Sequence, residues 1–167
     1  IIAPSPSCVL MYKQELPLLF PDNQDLLRVS KSFRDPFEFL NMLNDEGALK
    51  TDFNTELGNI SYQVACHQRV QNFGMLTKKI LELVPGTTVN AIERCSGHDG
   101  TYGVKLETHD IAIKIARPIT KSFKEANFDS FTSDCSLAAH HIENSLGNIQ
   151  EPEHPISLIK KAYGIRA

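Results

Sequence analysis

Three of the four cysteines lie where an apolar, β-branched stretch gives way to polar residues. These junctions are Val64-Ala65-Cys66-His67, Ile92-Glu93-Arg94-Cys95-Ser96 and Phe131-Thr132-Ser133-Asp134-Cys135. If the apolar stretches are neighbouring parallel strands, all three sulfurs lie at one edge of one sheet, where open α/β folds bind ligands. The thiolate is the form of cysteine that binds metal. The pattern therefore predicts a thiolate site, whereas a single cysteine would be read as a small buried hydrophobic residue.

Glycines follow the second of these cysteines, in the segment Cys95-Ser96-Gly97-His98-Asp99-Gly100-Thr101-Tyr102-Gly103. Glycine lets the backbone adopt positive φ and approach a ligand closely, so Gly97 and Gly100 are candidate cofactor-binding residues. Such a turn suits a metal cluster. It also loosely imitates a phosphate-binding loop, but its spacing is not that of the dinucleotide fingerprint and no P-loop Lys-Ser/Thr follows.

Two histidines are candidate further ligands beside the cysteines. His98 follows Cys95 in a C-x-x-H spacing that occurs in structural zinc sites, and we rank it first. His67 directly follows Cys66 and ranks second. We expect His141 to share an apolar helix stripe with Leu137. For every histidine, a packed or surface side chain without metal is the alternative.

Charged residues near the same junctions have competing interpretations. We expect Asp134 to cap a helix that Cys135 opens, and a helix N-terminus lowers the pKa of a thiol. Asp99 and Glu93 are candidates to hydrogen-bond ligand histidines, or are turn residues. Three basic residues lie nearby: Arg69, Arg94 and Lys105. They offset the charge of a cluster, bind an anionic substrate or are simply solvated.

Composition limits the class of protein. The 167 residues are 41% hydrophobic, enough for a core without disulfides, and the net charge is −3. No basic cluster indicates nucleic acid, and no apolar stretch approaches the roughly 20 residues that span a bilayer. Ile1-Ile2-Ala3-Pro4 is not a signal peptide, so we expect a cytoplasmic fragment of a longer chain, whose cysteines serve metal or redox chemistry.

Apolar runs alternate with helical periodicities, which predicts a three-layer α/β fold with a mostly parallel sheet and helices on both faces. The predicted strands are 1–3, 27–30, 60–65, 87–92 and 128–132. Two helices are predicted in the first fifty residues: 8–20, ended or kinked at Pro17, and one from Pro36, capped by Asp35, to near Gly47. Two more follow at 76–84 and through Val104, Ile111 and Ile119, the latter bent at Pro118. The last two run from Leu137 to near Gly147 and from Pro155 through Tyr163.

These motifs together resemble the cysteine-rich (CCG) domain family, found in heterodisulfide reductase, in the iron–sulfur protein of glycolate oxidase and in the C subunit of anaerobic glycerol-3-phosphate dehydrogenase. The resemblance rests on Cys66-His67, the segment 95–103, Ser133-Asp134-Cys135 with His141-Ile142, and His154-Pro155-Ile156. It implies that residues 1–50 end a preceding CCG repeat packed on the same sheet. Residues 51–59 are then a loop, and 60–167 are the C-terminal repeat of one globular unit.

The family pattern supplies a lone Cys, a Cys-Cys-Gly and a Cys-x-x-Cys, which hold an iron–sulfur cluster. Here Cys66, Cys95 and Cys135 match it, while Ser96 and Ala138 stand where two further cysteines belong. The resemblance therefore implies three thiolates, with His98 or His67 as a further metal ligand. The implied cofactor is an iron–sulfur cluster, 4Fe-4S in the intact protein, with zinc or no metal as alternatives for the fragment.

The function that the resemblance implies is electron transfer within an oxidoreductase, between a flavin dehydrogenase and a quinone or thiol/disulfide acceptor. The implied partners are a flavin dehydrogenase subunit or other redox protein and a ferredoxin-type N-terminal domain of the same chain. The implied location is the cytoplasm or, peripherally, the inner face of the membrane. The alternatives are a structural or docking repeat that has lost its cluster, and a thiol enzyme with Cys95 as nucleophile.

Overall fold

The computed structural model describes residues 1–147 and 150–165. Three strands, β1 (Asn59–Gln63), β2 (Thr88–Ile92) and β3 (Ser130–Ser133), form one parallel sheet in the order β2-β1-β3. Gln63 is in register with Ile92 on one side and with Ser133 on the other. Helices flank the sheet, which confirms the predicted three-layer α/β fold.

Each strand leads into helical structure. The helices of this part are α5 (Cys66–Arg69), α6 (Leu76–Leu81), α7 (Leu106–Glu125), α8 (Ser136–Leu146) and α9 (Pro155–Ala162). Helix α7 continues through Pro118 as a single element, and α8 ends at Gly147, whose φ of 88° is left-handed.

The first fifty residues are largely helical. They form α1 (Pro6–Leu10), a π-helical segment (Met11–Glu15), α2 (Leu16–Leu19), α3 (Gln24–Ser32) and α4 (Pro36–Asp45). The predicted strand at 27–30 is wrong, because Asn23 caps α3 through the amide of Leu26 and an amphipathic helix results. The predicted strand at 1–3 is reduced to one bridge between Ile2 and Arg34.

The predicted helix 8–20 forms as the succession of α1, the π-helical segment and α2. Pro17 has no amide hydrogen, so the carbonyl of Lys13 cannot receive the usual bond from that position. The Ser30 hydroxyl donates to the Lys13 carbonyl instead, at 3.0 Å. A neighbouring helix thus satisfies the group that the proline leaves free.

The core divides between the two faces of the sheet. One cluster joins the sheet to α4, α6 and α9, and it includes Ile60 and Tyr62 of β1. The other joins β3 to α7 and α8 around Phe131 and Ile142. Because side chains alternate along a strand, Tyr62 and Gln63 lie on opposite faces of the sheet.

The N-terminal helices pack against the part that follows. Helix α1 contacts α5 and α4 contacts α6, while the sheet strands all lie within residues 59–133 of the described chain. His154 accepts from the Ile156 amide at Nδ1, so its proton is on Nε2, which faces the carbonyls of Pro4 and Asp134 at 3.3 and 3.2 Å. In the described part of the chain, no helix is both long and apolar enough for a membrane span.

Candidate functional site

The three cysteines named in the sequence converge at the carboxyl edge of the sheet. Each lies within three residues of a strand end: Cys66 after β1, Cys95 after β2 and Cys135 after β3. Parallel strands bring these ends to the same edge, so residues far apart in the chain meet there. Because each cysteine follows an apolar run that forms a strand, all three cysteines lie at the same edge of the sheet.

One cleft of about 530 Å³ contains all three cysteines in its lining. Its wall includes every other residue proposed from the sequence as a ligand, namely His67, His98, Gly97 and Gly100. Ser96 and Ala138 also line it, where the resemblance places two further cysteines. The N-terminal segment contributes Pro6 and Ser7, and the apolar side comes from Ile115 and Leu137.

The three thiols are unpaired, with Cys66 and Cys95 exposed and Cys135 half-buried. Burial raises the pKa of the Cys66 thiol, and the neighbouring Cys95 raises it further, whereas Arg69 lowers it. Cys66 begins α5, which is a single turn, and desolvation together with a second thiol raises the pKa of Cys66 in spite of its place at a helix N-terminus.

Packing against α7 requires a glycine at position 97 of the glycine segment. Gly97 has a φ of 80°, and a Cβ there would lie 2.3 Å from the carbonyl oxygen of Ala112 in α7. Its amide donates to the Cys95 sulfur at 3.4 Å. Gly100 also has positive φ, 61°, but faces open space. Gly97 therefore presses the loop against α7 and directs an N–H at a candidate ligand.

The predicted ligand histidines occupy different environments. His98 is 8% exposed, and its Nε2 has no hydrogen-bond partner among the residues that the structure describes. Its ring centroid lies 6.1 Å from that of His141. His67 is exposed, and its Nδ1 lies 2.7 Å from the Ser7 hydroxyl. The predicted stripe of His141 with Leu137 is wrong, because His141 is buried while Leu137 is 62% exposed at the cleft.

Asp134 does not cap α8, so that prediction is wrong; the N-cap is Cys135. The Asp134 side chain is buried in a ring of hydrogen-bonding groups. The Tyr62 hydroxyl lies 2.5 Å from both Asp134 Oδ2 and Gln68 Oε1. Gln68 Nε2 donates to Thr77 Oγ1 at 3.0 Å, and Thr77 donates to Asp134 Oδ1 at 2.9 Å. We call these four residues the Tyr62 ring.

Counting hydrogens assigns a protonation state to this ring. Its four contacts need four hydrogens, and Tyr62, Thr77 and Gln68 supply one each. A neutral Asp134 carboxyl supplies the fourth. Burial raises the pKa of Asp134 to about 6, although hydrogen bonds from Tyr62 and Thr77 to the ionised carboxylate act to lower it. Burial and then the Asp134 charge raise the pKa of Asp35 to about 6. The geometry therefore favours a protonated carboxyl, and the raised pKa keeps this form dominant up to about pH 6.

A second buried network lies on the opposite face of β1. Gln63 Nε2 donates to the carbonyls of Val64 and Arg94 at 2.9 and 3.1 Å, and its Oε1 accepts from the Ser133 hydroxyl at 2.7 Å. The Cys135 amide in turn donates to Ser133 Oγ at 3.2 Å. We call this chain of contacts the Gln63 bridge. It connects the residue before Cys95 to the backbone of Cys135.

Sequence reasoning missed both networks. The available signal was the pair Tyr62 and Gln63, whose polar groups come at the end of a central strand that must be buried on both faces. The carboxylate of Glu93 pairs with Arg69 at 3.0 Å rather than with a histidine, and Asp99 lines the cleft at a positive φ of 39°.

The donor chemistry of the cleft fits an iron–sulfur group, because three thiols are the ligand type that such clusters take. Among residues 1–147 and 150–165, however, no three His, Cys, Asp or Glu side chains are placed to hold a metal ion together. The cleft thus presents the required donor atoms without forming a closed cage. A scan against protein-family models finds no match to the chain.

Proposed function

We propose that the cleft binds an iron–sulfur cluster through Cys66, Cys95 and Cys135, and that the chain is the C-terminal cysteine-rich domain of an iron–sulfur oxidoreductase subunit. One observation carries the proposal: thiols from three neighbouring strand ends line a single cleft. A bound cluster would supply one-electron chemistry, while the protein sets its potential and access.

The electrostatics of the thiols support this proposal. The pKa of Cys66 is raised by burial and by Cys95, with a further contribution from Cys135, because the negative charges of grouped thiolates disfavour one another. A bound metal centre would favour the deprotonated sulfurs. The Gly97 amide that donates to Cys95 Sγ is the type of contact that tunes the potential of a cluster.

The proposed partners follow from the family resemblance. Electrons would pass between a flavin dehydrogenase subunit, or another redox protein, and a quinone or thiol/disulfide acceptor. The cleft is bordered on one side by Ile115, 42% exposed, and Leu137, 62% exposed. Apolar side chains at the rim suit contact with a partner that excludes water from the site.

Metal and sulfide analysis of single-cysteine variants tests the proposal. The protein is purified without oxygen, and iron, sulfide and the electron paramagnetic resonance of the reduced sample are measured. Cys66→Ser, Cys95→Ser and Cys135→Ser are expected to lose the cluster. Cys8→Ser is the matched control, since Cys8 is exposed on α1 outside the cleft lining. Equal iron in all four variants, or no iron in the wild type, would contradict the proposal.

A second function is favoured by the exposure of apolar residues after the glycine segment. Val104 is 71% exposed and Leu106 is 93% exposed, and they follow Tyr102, which lines the cleft. Such residues suit a docking repeat that holds zinc or no metal. Stoichiometric zinc after anaerobic preparation, with normal folding of Cys66→Ser, would support docking over electron transfer.

A further inference from the structure

We infer that Gln63 is a positioning residue that sets the separation between Cys95 and Cys135. The inference deepens the proposed function and rests on it for its chemical purpose, since a cluster needs its ligand sulfurs at a defined spacing. The Gln63 bridge carries the argument. Every step of it is a hydrogen bond between named atoms of described residues.

The polar groups of Gln63 are fully used. The side chain is 1% exposed, both amide hydrogens go to backbone carbonyls, and its oxygen accepts from Ser133. Each contact has one donor and one acceptor between 2.7 and 3.1 Å, so none can lengthen without leaving a buried group unpaired. The amide therefore acts as a spacer of defined length.

The bridge ends on the backbone of both cysteine loops. At one end lies the carbonyl of Arg94, the residue before Cys95. At the other end the amide of Cys135 donates to Ser133 Oγ. Register supports the same conclusion, because Gln63 pairs with Ile92 of β2 and with Ser133 of β3. A side chain of the central strand thus spans the two flanking strands at the edge where the thiols lie.

Ser61 shows that a buried polar side chain on this face of the sheet does not always link two loops. Ser61 is two residues earlier on β1, so it lies on the same face, and it is also 1% exposed. Its hydroxyl has no partner within the described structure. Burial of a polar group on this face therefore does not by itself create a link between loops.

Thiol bridging measures the separation directly. In the 167-residue chain carrying Cys8→Ser and Cys66→Ser, Cys95 and Cys135 are the two remaining thiols. Dibromobimane fluoresces strongly when both of its arms are attached to thiols, and iodoacetamide reports the accessibility of each thiol alone. Gln63→Leu is expected to slow bridging about tenfold, since misplacement of reacting groups by about 1 Å costs that much or more. Iodoacetamide rates should be unchanged.

Two matched variants complete the test. Ser133→Ala keeps the Gln63–Arg94 contact and removes only the step to Cys135, so it should slow bridging by a smaller factor; it decides the question if Gln63→Leu does not fold. Ser61→Ala is the control and should bridge at the wild-type rate. The inference would be overturned if Gln63→Leu bridged as fast as Ser61→Ala. If Gln63→Leu does not fold, the same comparison is made with Ser133→Ala.

The cluster provides a separate readout. In the chain with all four cysteines, Gln63→Leu should shift the midpoint potential of the cluster, whereas Ser61→Ala should leave it unchanged. Absence of iron from the wild type would refute the proposed function while the bridging rates still judge Gln63. Unchanged bridging with a normal cluster would refute the role of Gln63 and leave the proposed function intact.

Discussion

The cleft and the Tyr62 ring differ sharply although Cys135 and Asp134 are adjacent in the chain. In the cleft, two of three thiols are exposed, and much of the lining comes from the loop 95–102 and the N-terminal segment. In the ring, each polar contact joins two buried side chains. The reactive thiols are thus accessible to solvent at the cleft, whereas the polar groups that contact the backbone next to them are buried.

Buried side chains under the cleft contact the segments that carry the thiols. Tyr62 faces Gln68 of α5, the helix that Cys66 begins, while Gln63 faces the backbone before Cys95. Consecutive residues of β1 thus serve different cysteine loops from opposite faces. We call the Tyr62 ring and the Gln63 bridge the base of the cleft, and the exposed side chains at its opening the rim. Changes in the base should therefore alter the cleft, whereas changes at the rim should leave the base intact.

The largest effect is expected where the cleft loop presses on α7. Gly97→Ala should destabilise the protein by about 3 kcal/mol or more, since it combines positive φ with a 2.3 Å approach to the Ala112 carbonyl. Gly100→Ala, at positive φ but in open space, should cost only about 1 kcal/mol. Urea unfolding measures both. Equal losses in the two variants would show that the packing on α7 is unimportant.

Removing the ring hydroxyl should have the next largest effect. Tyr62→Phe leaves Gln68 Oε1 without its donor and Asp134 Oδ2 without its partner, which should cost about 2 to 3 kcal/mol of unfolding free energy. Tyr102→Phe at the cleft is the control and should change stability by less than about 0.5 kcal/mol. A loss in Tyr62→Phe no greater than in Tyr102→Phe would remove the distinction between base and rim.

The pH dependence of stability tests the neutral carboxyl of the ring. The pKa of Asp134 is raised to about 6, so between the unfolded pKa and 6 the folded state binds more protons, and stability falls as pH rises through this window. Between pH 5 and 7 Asp134 should contribute a loss of about 1 kcal/mol. Asp35, also raised to about 6, adds a loss of the same sign.

Asp134→Asn isolates this contribution. An asparagine supplies the fourth ring hydrogen at every pH, so the variant should be at least as stable as the wild type at pH 7 and show a shallower fall from pH 5. The lowered pKa of His141 makes stability change in the opposite direction and acts alike in both proteins. Identical pH profiles would mean that Asp134 is ionised in the ring.

The smallest effect is expected for the charge beside Cys66. Arg69 lowers the pKa of Cys66, so Arg69→Gln should raise it further and slow alkylation of that thiol at pH 8. Stability should change by less than about 0.5 kcal/mol, because the pair with Glu93 is half-exposed. Arg28→Gln, in the exposed pair with Asp25, is the control for loss of a surface charge. Faster alkylation in Arg69→Gln would contradict the assignment.

Local signals in the sequence were sufficient for most of the fold. The capping box of Asp35 and Glu38 with Pro36 between them predicts the start of α4, because all three act within one turn. The gathering of Cys66, Cys95 and Cys135 follows from strand ends alone. The short apolar run at 27–30 misleads, because a cap at Asn23 is worth more than a short run of strand-forming residues.

The failures concern partners that are distant in sequence. Asp134 before a helix has the local signature of a cap, but it bonds with Tyr62 and Thr77, which are 72 and 57 residues away. The need for glycine at 97 comes from the backbone of α7, which no pattern within the loop reveals. Periodicity predicts which face a residue occupies and is silent about which distant polar group it meets there.

The contact between the Pro4 carbonyl and His154 has a consequence for biosynthesis. The two residues are 150 positions apart, and Pro6 and Ser7, which help to wall the cleft, lie just after the earlier one. A ribosome adding about 5 to 20 residues per second needs roughly 8 to 30 s to make the intervening chain. The thiols of Cys66, Cys95 and Cys135 are all translated before that contact exists. A cofactor delivered during this interval meets a cleft whose N-terminal wall contacts His67 and Gln71 but does not yet have its contact with His154.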